Sequence, residues 1–217
     1  NTVPNSTFNR DLNPPSAEIR KAIKWDGGNA AYWYELALDL LMPSPEEILE
    51  QEDFLMEGNL SMMVHVFPQN RLPQIIHSLE KAASLNPLEP QYHLLLGWAY
   101  ANRAKRQGLG DAHYRAADQA MDRAAYFSGS KDSGLYLDLG HYWIMRSKTV
   151  NPDHPLHAEA WEKACRYYAK AQSLEPEKTA QYLRKQIRAY VKQCYPKESL
   201  VEEALGGEEA QAGPHRD

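Results

Sequence analysis

Lys81-Ala82-Ala83-Ser84-Leu85-Asn86-Pro87-Leu88-Glu89-Pro90-Gln91-Tyr92-His93-Leu94-Leu95-Leu96-Gly97-Trp98-Ala99-Tyr100 is the stretch that decides the architecture. Its first part ends an amphipathic helix, its centre is a Pro-marked stop, and its second part restarts a helix at once. The phrase returns twice. Arg123-Ala124-Ala125-Tyr126 runs into Phe127-Ser128-Gly129-Ser130, and Lys170-Ala171-Gln172-Ser173 runs into Leu174-Glu175-Pro176-Glu177. A degenerate copy precedes them, Lys21-Ala22-Ile23-Lys24 followed by Trp25-Asp26-Gly27-Gly28. Helices that stop on Pro or Gly and restart immediately, several times over, mark an array of helical repeats.

Working outward, the pattern predicts helices only. Ser16 is a fitting N-cap for a short helix through Lys24, and Asn29 for one over Ala30–Leu41, stopped by Met42-Pro43. Ser44-Pro45-Glu46-Glu47 restarts a helix to about Met56. Residues 58–71 read as a loop carrying the apolar run Met62-Met63-Val64-His65-Val66-Phe67. Helices follow over Pro73–Leu85, Pro90–Arg106, Asp111–Phe127, Ser133–Lys148, His157–Leu174 and Thr179–Cys194. The fold class is all-α, in antiparallel pairs. Three regions result: a polar lead-in over 1–15, a repeat domain over 16–197, and an acidic tail over 198–217 too poor in apolar side chains to fold.

The charge of -5 is local. Six of the 29 acidic side chains fall at Glu198 or later, against Arg216 alone of the 24 basic ones. The repeat domain is therefore neutral and shows no Lys/Arg stripe, which argues against nucleic acid. No apolar run reaches the roughly 18 residues of a membrane helix. The start at Asn1 reads as a processed end or a fragment boundary. Cys165 and Cys194 lie on apolar faces and read first as buried thiols. A bridge between them is the alternative, and it needs neighbouring helices and an oxidising compartment.

The helix pairs resemble tetratricopeptide repeats. In that family the first helix carries Leu-Gly or Leu-Ala followed by an aromatic, and the second carries Ala, a large residue and Ala, with Pro beyond. Leu96-Gly97 with Tyr100, and Leu139-Gly140 with Trp143, fit the first helix; Leu36-Ala37 with Leu40 is a weaker copy. Ile75, Leu79, Ala82 and Pro87 fit the second helix, as do Ala117, Met121, Ala124 and Gly129, and Ala164, Tyr168, Ala171 and Pro176. The resemblance implies a right-handed α-solenoid. The family period is about 34 residues, whereas Ala22, Ala82, Ala124 and Ala171 are spaced by 60, 42 and 47. Enlarged turns within each pair account for the excess. Mid-helix Gly97 and Gly140 each cost about 1 kcal/mol against Ala, which a closely crossing second-helix backbone, flattened by Ala82, Ala124 and Ala171, would justify.

A narrower resemblance is carried by Asn29–Ala37 and Leu85–Tyr100. These are similar to the repeats appended to bacterial O-antigen ligase/polymerase family membrane proteins. That implies a soluble, membrane-associated module of the cell envelope, tethered to a membrane domain upstream; a free-standing periplasmic or secreted assembly factor is the alternative.

No catalytic site, cofactor or metal is expected. His154 and His157 are three apart across Pro155, not the four apart on a helix that a zinc motif needs, so they read as solvated loop histidines. A metal-dependent enzyme built on them is the weakest reading. His93 and His141 lack carboxylate or Cys companions. The resemblance implies that the first helices line a concave groove. Its lining would be Tyr34, Leu38 and Leu41, then Leu94, Trp98 and Ala101, then Leu137, His141 and Ile144. An apolar, aromatic groove of this kind takes an amphipathic helix or apolar peptide of a protein partner. The alternative is a groove filled by the chain itself, through the Met62–Phe67 run or the inserted helix near Phe54.

Overall fold

A computed structural model of the chain describes residues 15–42, 67–68, 70–106, 111–129, 132–177 and 179. Seven α-helices account for almost all of these: α1 (Pro15–Trp25), α2 (Ala30–Leu41), α3 (Leu72–Leu85), α4 (Pro90–Arg106), α5 (Asp111–Phe127), α6 (Ser133–Lys148) and α7 (Pro155–Leu174). No strand occurs among the described residues. None of these helices is long and apolar enough to cross a membrane.

The helices pack as α2 with α3, α4 with α5 and α6 with α7, and α1 packs on α2. Each second helix then meets the next first helix, α3 on α4 and α5 on α6, while α4 and α6 touch directly. This is an α-solenoid of tetratricopeptide type. The surplus over the family period lies partly in the long stretch 42–71 between α2 and α3. In the later pairs the helices themselves are long, 17 residues each for α4 and α5 and 20 for α7.

The junctions repeat a common bond. Each amide four residues beyond the repeat Ala donates to that Ala's carbonyl: Asp26 to Ala22 at 2.8 Å, Asn86 to Ala82 at 2.9 Å and Glu175 to Ala171 at 3.1 Å. The third junction has Gly129 where the others have Pro or Gly, at φ +60, a conformation only glycine adopts without strain. Restarts are capped. Asn29 Oδ1 accepts from the Ala31 amide at 3.0 Å and Asp132 Oδ1 from the Leu135 amide at 3.1 Å, satisfying amides left open by the helix start.

Four expectations need correction. Helix α1 already includes Pro15, so Ser16 sits inside its first turn rather than capping it. Helix α7 begins at Pro155, two residues before the expected start, because His154 is its cap: His154 Nδ1 accepts from the Leu156 amide at 3.1 Å. His157 is likewise engaged, its Nδ1 lying 3.0 Å from the Ser147 carbonyl. Cys165 is disulfide-bonded, not a free buried thiol. The expected helix over 44–56, the one over 179–194 beyond Thr179, the acidic tail and the lead-in up to residue 14 lie outside the described residues, as does Cys194.

The glycines are explained by side chains and not by backbone. A Cβ on Gly97 would lie 2.8 Å from Met121 Cε, and one on Gly140 would lie 2.5 Å from Tyr168 Cε1. Met121 and Tyr168 are both wholly buried, each a knob from the second helix seated in the notch its partner's glycine leaves. In the first pair Ala37 and Leu79, also wholly buried, hold the same places. Ala117, Ala124, Ala164 and Ala171 flank the knobs at zero exposure, and burying each large knob stabilises by about 1.5–3 kcal/mol.

The two notches should respond differently to an added methyl. Met121 is flexible and can swing away, and alanine improves helix propensity, so Gly97→Ala should stay within about 1 kcal/mol of wild type. The Tyr168 ring cannot yield, so Gly140→Ala should cost about 1–3 kcal/mol. Urea unfolding monitored by circular dichroism measures both.

Candidate functional site

The first helices stand side by side. Tyr34 of α2 and Tyr92 of α4 have ring centroids 4.7 Å apart, and Trp98 of α4 meets Tyr142 of α6 edge-on at 5.5 Å. The nine residues expected to line the groove divide sharply by exposure. Leu94, Trp98, Ala101, Leu137 and Ile144 are at most 6% exposed and belong to the hydrophobic core. Tyr34, Leu38 and Leu41 on α2, with His141 on α6, remain half-buried. Phe67, the last residue of the Met62–Phe67 run, is wholly buried in the same core; the rest of that run lies outside the described residues.

Polar joints tie successive pairs together. Between α3 and α4, the Tyr100 hydroxyl donates to Glu80 Oε1 at 2.5 Å. Burial and that bond hold the Tyr100 hydroxyl up at about 12. Between α5 and α6 the joint is richer. The Tyr142 hydroxyl donates to Asp118 Oδ1 at 2.5 Å, and Arg146 Nε lies 3.3 Å from both Asp118 oxygens. Arg146 Nη1 donates to Thr149 Oγ1 at 2.8 Å, and its guanidinium sits 4.6 Å from the Tyr114 ring centroid. Burial pushes the Asp118 carboxyl up, while the bonds from Tyr142 and Arg146 pull it back. Truncating Arg146 removes the nearest cation from that carboxylate and leaves it the Tyr142 hydroxyl as hydrogen-bond donor. Arg146→Met should therefore cost about 3–5 kcal/mol, read by urea unfolding, with Asp118→Asn restoring part of the loss.

His93 also has a structural post. Its Nε2 lies 2.7 Å from the Pro87 carbonyl, and its ring stacks on Phe127 at 5.7 Å, binding the junction before α4 to α5.

Two titrating groups sit three residues apart on α6. Burial, with a smaller contribution from the Asp132 charge, lifts the Asp138 carboxyl to about 7. Burial drives the His141 imidazole down to about 4. A raised carboxyl means that the folded chain keeps a proton the unfolded chain has lost, so Asp138 costs stability as pH rises from about 4 through about 7. A depressed imidazole means that the unfolded chain takes up a proton first, so His141 costs stability as pH falls from about 6.5 through about 4. The two slopes oppose each other. Asp138→Asn should leave a variant that loses stability more steeply in acid than wild type does. His141→Gln should leave one that loses it more steeply toward neutrality. Thermal melts at half-unit steps between pH 4 and 8 test the pair.

Sequence reasoning missed one surface. Trp25 (92% exposed), Leu88 (66%) and Tyr126 (82%) are exposed apolar side chains at or beside successive junctions. The residues were legible in the stop phrases, but exposure at a turn leaves no periodic signal. Among the described residues, no three His, Cys, Asp or Glu side chains gather to hold a metal ion.

Knob-and-notch pairs, repeated junction bonds and a row of first helices define a tetratricopeptide-like helical repeat protein. No known protein family matches the sequence, and no curated protein is similar to it. A crystal structure of MamA is similar in fold, at 19% identity over 89% of this chain and 86% of that one, with a TM-score of 0.48. The fold assignment rests on the packing described above.

Proposed function

We propose that the chain is a non-catalytic protein–protein interaction module. The observation that supports this is the side-by-side row of α2, α4 and α6, which joins three helix pairs into one continuous face. Such a face gives a partner many weak contacts at fixed spacing, and this is how stacked repeats bind. The partner surface would be the apolar groove, with Tyr34, Leu38, Leu41 and His141 as its accessible side chains. Leu94, Trp98, Ala101, Leu137 and Ile144 would support them from beneath. The groove suits an amphipathic helix or an apolar peptide of a protein partner.

The narrower version, a soluble appendage of a bacterial O-antigen ligase/polymerase family enzyme, rests on the wording of Asn29–Ala37 and Leu85–Tyr100. A free-standing periplasmic or secreted assembly factor is the competing version. The disulfide at Cys165 suits either, since such bonds persist in oxidising compartments.

Photo-cross-linking separates the surfaces. A benzophenone side chain placed at Leu38 or His141 should yield adducts in an envelope extract, while the same group at Arg123, exposed on α5, should not. Unchanged circular dichroism melts would show that the carriers fold. Adducts formed only from a probe at Tyr126 would move the working surface to the junction edge, and adducts from no site would sink the reading.

A further inference from the structure

The first helices carry one sign of charge. Residues 29–41, 89–102 and 132–145 are α2 and the parts of α4 and α6 before Arg103 and Arg146, each with the residue that precedes the helix. They hold Glu35, Asp39, Glu89, Asp132 and Asp138, and no Lys or Arg. Cations within the seven helices lie on α1, α3, α5 and α7 or in the last turns of α4 and α6. In a repeat domain of balanced charge, this is a segregation. Glu35 is exposed. Burial first, and then the Glu35 and Glu89 charges, hold the Tyr34 and Tyr92 hydroxyls above their ordinary value, which puts both carboxylates at the seam of α2 and α4. Asp138 on α6 is half-buried and has no hydrogen bond or ion pair among the described residues; the charge that acts on it, Asp132, has its own sign.

A half-buried carboxylate that accepts no hydrogen bond gives up hydration without return. The charged groups of the helices packed on α6 are committed elsewhere. Asp118 of α5 is bonded to Tyr142 and Arg146. Lys163 of α7 pairs with Asp122 and Glu159 and lies over the Trp143 ring. Asp132, ahead of α6, takes the Leu135 amide and the Gln91 side chain of α4. His141, driven down to about 4, is uncharged near neutrality. Beside these carboxylates the half-buried Tyr34 and Leu38 of α2 supply apolar surface.

We infer that the partner segment is basic: an amphipathic helix of a protein partner whose Lys or Arg side chains pair with Asp138 on α6 and Glu35 on α2, while its apolar face rests on Tyr34 and Leu38. This rests on the reading of the first-helix row as the partner face and names the charge of what binds there. Complementary charge selects the partner and excludes acidic competitors, which would meet five carboxylates and no cation. Binding is then linked to pH. Burial lifts the Asp138 carboxyl to about 7, and a cation beside it favours the ionised form. Affinity therefore rises as pH climbs through about 7, and below that the partner must displace a proton to form the pair.

The probe is a fluorescent, stapled amphipathic helix with leucines on one face and lysines at both ends, beside twins carrying Gln or Glu in place of Lys. Anisotropy titrations of the full chain at pH 6, 7 and 8 give the affinities. At pH 8 the Lys peptide should bind at least about tenfold tighter than the Gln twin, and the Glu twin should bind weakest. Asp138→Asn should remove the rise in Lys-peptide affinity between pH 6 and 8, and adding Glu35→Gln should bring the Lys and Gln peptides together. Circular dichroism melts check that the variants fold; should the pair fail to, exposed Glu35→Gln alone must still narrow the gap. Equal binding of the Lys and Gln peptides, with cross-links at Leu38, would overturn the inference and leave the partner face standing. A preference for the Glu twin, or a Lys preference that survives both substitutions, would overturn it too. Binding of none of the three sinks the inference, and the Leu38 adducts then decide the partner face on their own.

Discussion

A side chain from one helix seated in a notch of its partner is the contact on which the rest of this structure depends. Met121 in the Gly97 notch and Tyr168 in the Gly140 notch fix how far apart the helices of a pair lie and how they are rotated. Once that is set, the flanking alanines reach zero exposure because nothing larger would fit between the backbones. The junction bonds at Ala22, Ala82 and Ala171 are the last four-residue bonds of their helices and mark the same stopping point in each. The row of first helices follows from the stacking of identical pairs, so the proposed binding face is set by interior glycines and their knobs.

Much of this was legible because helix ends are written locally. Asn29 capping α2, Met42-Pro43 ending it, and the Pro and Gly stops gave four helices whose bounds match the structure residue for residue. The Leu-Gly and Ala positions recur in register, and that placed the pairs. What could not be read was whatever joins distant residues. Position 97 is marked as small, yet nothing in the sequence says whether backbone or Met121 fills the notch. Asp118 and Arg146 are 28 residues apart with no pattern linking them. His154 escaped notice because imidazole is an uncommon cap, and its nearness to His157 drew attention toward a metal instead.

The candidate site was legible in outline and not in depth. Spacing along a first helix tells which residues share a face. It does not tell how much of that face remains open, because coverage depends on chain far away in sequence. Hence Leu94, Trp98 and Ile144 belong to the expected row and still lie in the interior. Asp138 gave no local warning of its burial either, since one carboxylate on an otherwise apolar helix face resembles any surface acid until the neighbouring helices are in place.

The two polar joints differ in kind. Helices α3 and α4 approach closely along their backbones, with the Tyr100–Glu80 bond at the surface. That joint is set by close packing of apolar side chains. Helices α5 and α6 are held farther apart and are spanned by Asp118, Tyr142 and Arg146, whose bonds lose strength quickly when misaligned. The two joints thus differ in what holds them: close helix contact between the first and second pairs, and a charged, hydrogen-bonded cluster between the second and third. The orientation of the third pair is thus written into three side chains, Asp118, Tyr142 and Arg146, more than into backbone contact.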